Sequence, residues 1–236
     1  MGVLDIFKKK EIVIQCPGCG APFTKAPKSK TKCKSCGSEV FVRTHYLTGE
    51  LQYLLERQKI FYDLEKTQFY FEKSWLKRLT DLGISDGDVN IVREELHKKW
   101  GGNNPSFNDL IWAMFNKQVI RLGKNGASWH DLKMLYFTWG LFAYEINSDP
   151  TNLLQQSHLF ELKSYERGGY AKEVEILANS GCEECAKLNG KRYKLVDMTK
   201  KNDVLPNKLC SHGKDGEHKF AWCRCIFLPV IEGLSK

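Results

Sequence analysis

Residues 16–20 read Cys-Pro-Gly-Cys-Gly, and residues 33–37 read Cys-Lys-Ser-Cys-Gly. Each stretch places two thiols three positions apart, and thirteen residues separate Cys19 from Cys33. A structural Zn²⁺ ion takes four ligands in a tetrahedron, and a tight turn that carries two thiolates supplies half of them. The spacing therefore predicts one closed zinc site, held by Cys16, Cys19, Cys33 and Cys36.

The residues around these cysteines have the features of a small β-containing module. The β-branched runs Ile12–Ile14 and Val40–Val42 flank the two motifs, and Gly20 and Gly37 stand where the turns need positive φ. The pattern resembles a zinc ribbon, which we assign to residues 1–47. Because about thirty residues bury little apolar surface, we expect the metal to supply most of the folding free energy.

Lysines crowd the segment between and beside the two motifs. One interpretation is a patch that contacts phosphates, with Phe23 available for base stacking. The other is a solvated face that offsets the negative charge of a tetrathiolate site, and the sequence leaves both open. The expected partner of this module is a nucleic acid or a protein. The five lysines are Lys25, Lys28, Lys30, Lys32 and Lys34.

The formal charge of +8 is concentrated near the N-terminus. Residues 1–48 hold nine Lys or Arg and three Asp or Glu, whereas residues 49–165 hold fourteen and fifteen. Residues 166–236 hold thirteen and ten. Since four thiolates around one Zn²⁺ leave a net charge of −2, the N-terminal segment keeps about +4 with zinc bound. The charge pattern excludes a broadly basic nucleic-acid coat.

Residues 48–169 lack cysteine and show apolar residues at three- and four-residue spacing, which predicts a helical bundle. Ser106 and Ser128 precede apolar runs as N-caps, and Asp131 completes an acidic variant of the capping box after Ser128. Asp149 and Pro150 fit an N-cap and a first helical residue. The predicted helices span residues 48–79, 85–100, 106–123, 128–147 and 149–167.

The aromatic residues and histidines of this block favour structural roles. Trp112 and Trp139 lie on apolar helix faces, so we expect them in the core. His97, His130 and His158 have no metal-ligating partner four positions later. We therefore expect each to be a surface or an internally satisfied histidine.

Residues 170–236 form the predicted C-terminal module. Val174 and Ile176 alternate with Glu173 and Glu175, which is typical of a half-buried strand. Further along, Asn189-Gly190 is a strong signal for a hairpin turn. The pattern thus changes from helical to a mixed α and β character.

Seven possible ligands in this module exceed the four that one zinc ion needs. Cys182 and Cys185 repeat the spacing of the N-terminal pairs and form one half of a second zinc site. In a strand, Cys223 and Cys225 would share a face and complete it. A competing set replaces one of these two by Cys210 or His212. The seven are Cys182, Cys185, Cys210, His212, His218, Cys223 and Cys225.

Several of these elements together resemble the cysteine-rich tail of the phage Mu F-like head-morphogenesis family. They occur in order as Val174-Glu-Ile, Cys182-x-x-Cys185-x-x-Leu-Asn-Gly-Lys-x-Tyr193, Leu205-Pro206 and Cys223-Arg-Cys225. The resemblance covers roughly the last 65 residues. It implies phage or mobile-element ancestry, in minor head and portal-associated proteins or as a module of polymorphic toxins.

Familiar catalytic signatures are missing from the sequence. There is no H-E-x-x-H, no H-x-E before P-C-x-x-C, no Walker A motif and no G-x-S-x-G. Glu183, Glu184, His212 and His218 lie near the second site, so a nuclease-like centre is the enzymatic alternative. We expect the two glutamates to be exposed residues of the turn.

The sequence therefore predicts a mainly α protein with two small β-containing zinc modules around a helical bundle. We expect two zinc ions and a non-catalytic role in nucleic-acid or protein binding or assembly. The alternatives are a metal-dependent nuclease or toxin-like hydrolase, and a prophage minor head or portal accessory protein. The longest apolar run, residues 134–144, is shorter than the ~20 residues of a membrane span, and no secretory apolar segment opens the chain. We expect a cytoplasmic protein without a membrane partner.

Overall fold

The computed structural model describes residues 13–178, 182–214 and 218–231. These residues are mainly helical and include two small three-stranded sheets. The chain divides into two compact units, Met1–Lys77 and Arg78–Lys236. The domain boundaries expected after residues 47 and 169 stay a prediction.

The first unit contains an antiparallel sheet in the order β1-β2-β3. Its register pairs Thr31 with Val40 and Phe41 with Leu54. Ile12 lies outside the described residues, and Gln15 forms an isolated bridge with Pro22. The elements are β1 (Thr31–Lys32), β2 (Glu39–Thr44), β3 (Leu51–Leu54) and α1 (Glu56–Asp81).

Strand β3 corrects the prediction of a helix that begins at Thr48. Leu51, Leu54 and Leu55 have helical spacing, but β2 offers an unpaired edge along Phe41–Thr44, and residues 51–54 pair with it. The two strands form a hairpin whose paired residues lie 7 to 13 positions apart, and the apolar spacing of the leucines alone does not reveal it. The helix starts at Glu56 instead, and the side chain of Gln58 accepts the Leu55 N–H at 2.8 Å.

Helix α1 is fixed to the sheet by polar contacts within the first unit. The Tyr62 hydroxyl donates to the carbonyl of Thr44 at 2.5 Å. The Arg43 guanidinium donates to the Asp63 carboxylate at 3.1 Å, and the Lys59 ammonium lies 3.2 Å from the same carboxylate. The sheet and the first turns of α1 therefore share one hydrogen-bonded network.

Four further helices form the bundle of the second unit. Ser106 and Ser128 cap two of them as predicted, and Ser85 caps a third. Both Ser85 and Ser128 complete capping boxes. The N-cap of the last helix is Pro150, one residue later than expected, and the Asp149 carboxylate accepts the Thr151 N–H at 2.9 Å. The helices are α2 (Asp86–Lys99), α3 (Phe107–Lys124), α4 (Trp129–Glu145) and α5 (Thr151–Gly168).

The bundle core confirms the structural role expected for Trp112 and Trp139. Trp139 stacks on Phe115 with ring centroids 5.4 Å apart, and Trp112 meets Trp139 edge-on at 5.0 Å. Helices α4 and α5 pack closely at Gly140, where an added Cβ would lie 3.2 Å from a methyl group of Leu154. The glycine inside α4 therefore allows the two helices to approach each other.

The C-terminal part of this unit folds around a second sheet, in the order β5-β4-β6. Val174 and Ile176 of β4 are buried, which confirms the alternation read from the sequence. The turn at Asn189-Gly190 exists, but a short helix precedes it, so it does not join two adjacent strands. The elements are β4 (Glu173–Leu177), α6 (Glu183–Ala186), β5 (Arg192–Lys194), α7 (Leu195–Lys200) and β6 (Ile226–Val230).

Cysteines form a large part of the core around this sheet. Leu162 of α5, Val174 and Ile176 of β4 and Phe227 of β6 pack in one buried cluster with all five C-terminal cysteines.

In the described part of the chain, no helix is both long enough and apolar enough to cross a membrane.

Candidate metal centres

The four N-terminal thiols lie together in a tetrahedral arrangement. Their Sγ atoms are all within 4.8 Å of one another. Cys16 Sγ lies 3.8 Å from Cys36 Sγ, and Cys19 Sγ lies 3.7 Å from Cys33 Sγ. A Zn–S distance of about 2.3 Å gives a tetrahedron with an S–S edge of about 3.8 Å, whereas a disulfide requires about 2.05 Å. The four residues therefore fit a zinc ion.

Two tight turns bring these thiols into place. The N–H of Gly20 donates to the Cys16 carbonyl, and the N–H of Gly37 donates to the Cys33 carbonyl, both at 2.8 Å. Gly20 has φ of 75° and Gly37 has φ of 73°, which confirms the positive φ predicted for both. These glycines permit the left-handed backbone that closes each turn.

Hydrogen bonds favour the thiolate forms that a metal ion needs. The Ser38 hydroxyl, 3.3 Å from Cys36 Sγ, lowers the pKa of Cys36 to about 6. The backbone N–H of Cys36 is the main cause of the lowered pKa of Cys33. Two of the four sulfurs, those of Cys33 and Cys36, thus favour the thiolate form even without a bound metal ion.

The structure divides the predicted lysine patch. The ammonium of Lys30 lies 2.8 Å from the Glu39 carboxylate and 5.0 Å from the centre of the Phe41 ring, so Lys30 is engaged within the module. Phe23 packs against Cys16, Cys33 and Val40 instead of standing free to stack on a base. The remaining exposed lysines, which form no ion pair with the described residues, are Lys25, Lys28, Lys32 and Lys34.

The C-terminal module brings five thiols together in two overlapping groups. The first group is Cys182, Cys185 and Cys210, and the second is Cys185, Cys223 and Cys225. Within each group the Sγ atoms are less than 4.8 Å apart, and Cys185 belongs to both. The predicted quartet of Cys182, Cys185, Cys223 and Cys225 does not form a single such group. Cys210, which the sequence offered as an alternative ligand, lies beside Cys182 and Cys185.

The loop before the last cysteines surrounds these sulfurs with N–H donors. The backbone N–H groups of Asn207, Ser211 and His212 point to the sulfurs of Cys223, Cys182 and Cys210 in turn, each at 3.4 Å. The side-chain amide of Asn207 lies 3.6 Å from Cys185 Sγ. Donors aimed at sulfur stabilise thiolates, as expected for metal ligands.

Neighbouring thiols in this cluster also share protons. The thiol of Cys225 stabilises the Cys223 thiolate and lowers the pKa of Cys223 to about 5, and the same contact raises the pKa of Cys225. The backbone N–H of Ser211 lowers the pKa of Cys182 to about 6. A divalent cation would replace the shared protons and neutralise the sulfurs that the protein already prepares as thiolates.

The structure places the two candidate histidines outside these groups. His218 stacks on Tyr144 with ring centroids 4.3 Å apart, and the His212 carbonyl accepts the N–H of Trp222 at 2.9 Å. Neither imidazole belongs to a thiol group within the 4.8 Å limit. Glu183 is exposed as expected, whereas Glu184 is half-buried and pairs with Lys187. Both lie in the short helix α6 and not in a turn.

Sequence reasoning missed a buried charged cluster beside the C-terminal thiols. The Glu161 carboxylate, 8% exposed, pairs with the Lys133 ammonium and accepts the Tyr165 hydroxyl at 3.2 Å. The His158 imidazole lies 3.7 Å from the same carboxylate. Burial opposes ionisation of Glu161, but His158 and Lys133 outweigh it and lower the pKa of Glu161.

This cluster lines a cleft of 480 Å³ that also reaches Trp222 and Cys223. The signal in the sequence was the i, i+3 spacing of His158 and Glu161 on one helix, since residues three apart share a helix face. Metal-ligating partners were expected only four positions after each histidine, and that spacing does not find Glu161, which lies three positions after His158. Lys133 comes from another helix and had no local signal.

Comparisons with protein-family models, with curated proteins and with solved structures found no match. The function must therefore be inferred from the thiol clusters and from the surfaces beside them.

Proposed function

We propose that this chain is a non-catalytic zinc protein whose two thiol clusters stabilise modules for binding or assembly. The observation that carries the proposal is the pair of S–S distances in the N-terminal group, 3.8 and 3.7 Å, which match the edge of a zinc tetrathiolate. Cys16, Cys19, Cys33 and Cys36 would hold this ion.

The zinc ion would supply folding free energy to the N-terminal module. Among the described residues, the buried cluster there consists of Cys16, Cys33 and Val40, with Phe23 and Tyr53 packed against it. So small a core offsets little chain entropy, and two of its three members are proposed ligands. Metal binding and folding of this module are then coupled.

We propose the phosphate backbone of a nucleic acid as the partner of this module. Lys25, Lys28, Lys32 and Lys34 are exposed and carry four positive charges on one short stretch. Phe23 is packed inward, so the contact would be made to phosphates and would not read the bases. Such binding is sensitive to salt and indifferent to sequence.

The test is fluorescence anisotropy of the full chain with labelled duplex DNA over a range of salt concentrations. Four phosphate contacts predict a slope of log K against log salt of about −3.6, and Lys28→Glu with Lys32→Glu would reduce its magnitude by about 2. The matched control is Lys98→Glu with Lys99→Glu, the same charge change on an exposed turn of α2. Equal effects of the two double variants, or binding insensitive to salt, would direct the search to a protein partner.

A metal-dependent hydrolase is the second candidate, favoured by the cleft beside the C-terminal thiols. The cleft places His158 and Glu161 near Cys223 and Cys225, so acid–base groups border the proposed metal site. Cleavage of single-stranded nucleic acid should then require zinc and be lost in His158→Ala. A zinc-loaded chain that cleaves nothing would contradict this candidate.

The resemblance to the phage Mu F-like tail supports placing the assembly role in a phage or mobile-element context. It concerns only the C-terminal module. Co-purification of the chain with virion components would support that context, and its absence from purified particles would count against it.

A further inference from the structure

The five C-terminal thiols do not form the arrangement that a single zinc ion requires. Among the described residues, no four of these sulfurs all lie within 4.8 Å of one another. The N-terminal group meets that condition with all four of its members. A mononuclear tetrathiolate would therefore need the C-terminal sulfurs to regroup.

The sulfurs instead form two triangles joined at one corner. Cys182 and Cys210 belong to the first triangle, Cys223 and Cys225 to the second, and Cys185 to both. The donors follow the same division, since Ser211 and His212 serve the first triangle and the backbone of Asn207 serves the second. The Asn207 side chain donates to the shared sulfur of Cys185.

Burial also favours a cation beside each triangle. All five cysteines are buried, between 1% and 6% exposed. Because uncompensated charge is costly to bury, thiolates in either triangle need a cation in contact with them.

We propose that the C-terminal cluster binds two divalent metal ions that share the Cys185 thiolate. One ion takes Cys182, Cys185 and Cys210, and the other takes Cys185, Cys223 and Cys225. Each thiol that ligates releases its proton to solvent, and each ion keeps a fourth position for water or an external ligand. This inference rests on the proposed zinc-binding function and extends it from two ions to three.

Native mass spectrometry of the zinc-loaded full chain tests the number of ions. The Cys36→Ser variant, combined here and in the experiments below with Cys33→Ser, leaves the N-terminal site with two thiols, so the zinc that remains belongs to the C-terminal cluster. Two ions in this variant are the expected result. One ion would overturn the shared-thiolate inference and leave the proposed function intact, and none would overturn both.

Variants within the cluster test which sulfur is shared. In the Cys36→Ser background, Cys182→Ser should lose one ion and Cys223→Ser should lose the other, whereas Cys185→Ser should lose both. Loss of a single ion in all three variants would show that Cys185 does not hold both metals.

Cobalt substitution gives a readout that does not depend on counting. Two high-spin Co²⁺ ions that share a thiolate are exchange-coupled, so the electron paramagnetic resonance intensity per cobalt falls below that of an isolated ion. We expect lower intensity per cobalt in Cys36→Ser than in Cys36→Ser with Cys223→Ser. Equal intensities would overturn the bridge.

Discussion

At the scale of single residues, the pKa shifts of the thiols in both clusters favour a cation between the sulfurs. The Cys225 thiol is the main cause of the lowered pKa of Cys223, and the same contact raises the pKa of Cys225. Cys36 is likewise stabilised as a thiolate by Ser38. A bound cation removes this competition because it attracts every sulfur at once.

The glycines of the cysteine turns give a prediction about backbone conformation. Gly37 has φ of 73° with open space around its Cβ position, and Gly123 inside α3 has the same open space without positive φ. Gly37→Ala should weaken zinc binding by about tenfold, since a left-handed alanine costs about 1–2 kcal/mol. Gly123→Ala should stabilise α3 by about 1 kcal/mol.

Competition with a chromophoric chelator measures the first effect, and urea unfolding measures the second. Because neither new methyl group meets a neighbour, the two alanines differ in backbone conformation alone. An unchanged zinc affinity in Gly37→Ala would show that the turn does not control the site.

The buried carboxylate of Glu161 gives a prediction with a defined pH dependence. Its pKa is lowered in the folded chain, so its stabilising contribution is present above the ordinary pKa of about 4.3 and is lost as the pH falls through the lowered value. Glu161→Gln should reduce the free energy of unfolding at pH 7 by about 3 kcal/mol, because it leaves Lys133 without its buried partner.

Urea unfolding at pH 7 and at a series of lower pH values measures this contribution. The difference between Glu161→Gln and the unaltered chain should shrink as the pH falls through the lowered pKa of Glu161. The control is Glu95→Gln, which breaks the exposed pair with Lys117 and should cost less than about 1 kcal/mol. Equal effects of the two variants would contradict the buried role of Glu161.

Among the elements, helices were largely predictable and strand pairing was not. The caps at Ser85, Ser106 and Ser128 are local signals, because the capping side chain and its N–H partner lie three residues apart. Strand β3 depends on an edge formed ten residues earlier, and its leucines also fit a helix. The helix predicted from Thr48 therefore included residues 51–54, which form β3.

The same limit applies to the C-terminal ligands. Cys223 and Cys225 lie close enough together to ligate one ion, as expected, but they do not lie on a strand, because β6 begins only at Ile226. Both sulfurs reach Cys185 from an irregular segment. The grouping of Cys210 with Cys182 depends on the loop that carries Asn207 and Ser211. The path of such a loop cannot be predicted from helical or strand periodicity.

The hydrogen bond that joins α1 to the N-terminal sheet can be tested by a single substitution. Tyr62 is buried, and its hydroxyl donates to the Thr44 carbonyl that ends β2. Tyr62→Phe should lower the free energy of unfolding by about 1 kcal/mol, the usual worth of one hydrogen bond. The control Tyr70→Phe alters a hydroxyl on a side chain that is 49% exposed and should change little. Urea denaturation measures both, and no difference between them would contradict the contact.

Bound metal would lower the net positive charge of the whole molecule. The formal charge of +8 counts every cysteine as neutral. One zinc tetrathiolate lowers it by about 2, and the proposed two-ion cluster lowers it by about 1 more. Among the described N-terminal residues, the accessible positive charge is mainly that of Lys25, Lys28, Lys32 and Lys34.

Removal of metal should act unevenly along the chain. In the described part of the N-terminal module, two of the three residues in the buried cluster are cysteines, whereas α3 and α4 pack around Phe115, Trp139 and Phe142 without any cysteine. We expect chelation to abolish hydrogen-exchange protection in residues 31–44 and to preserve it in α3 and α4. Retained protection in β2 after complete removal of zinc would contradict coupled folding of the module.

The most direct test of the central claim is the zinc content of the full chain, purified without added metal and measured by elemental analysis. The thiol geometry predicts at least two zinc ions per chain, with one lost in Cys16→Ser and the rest retained. A chain that is folded, reduced and free of zinc would contradict the account.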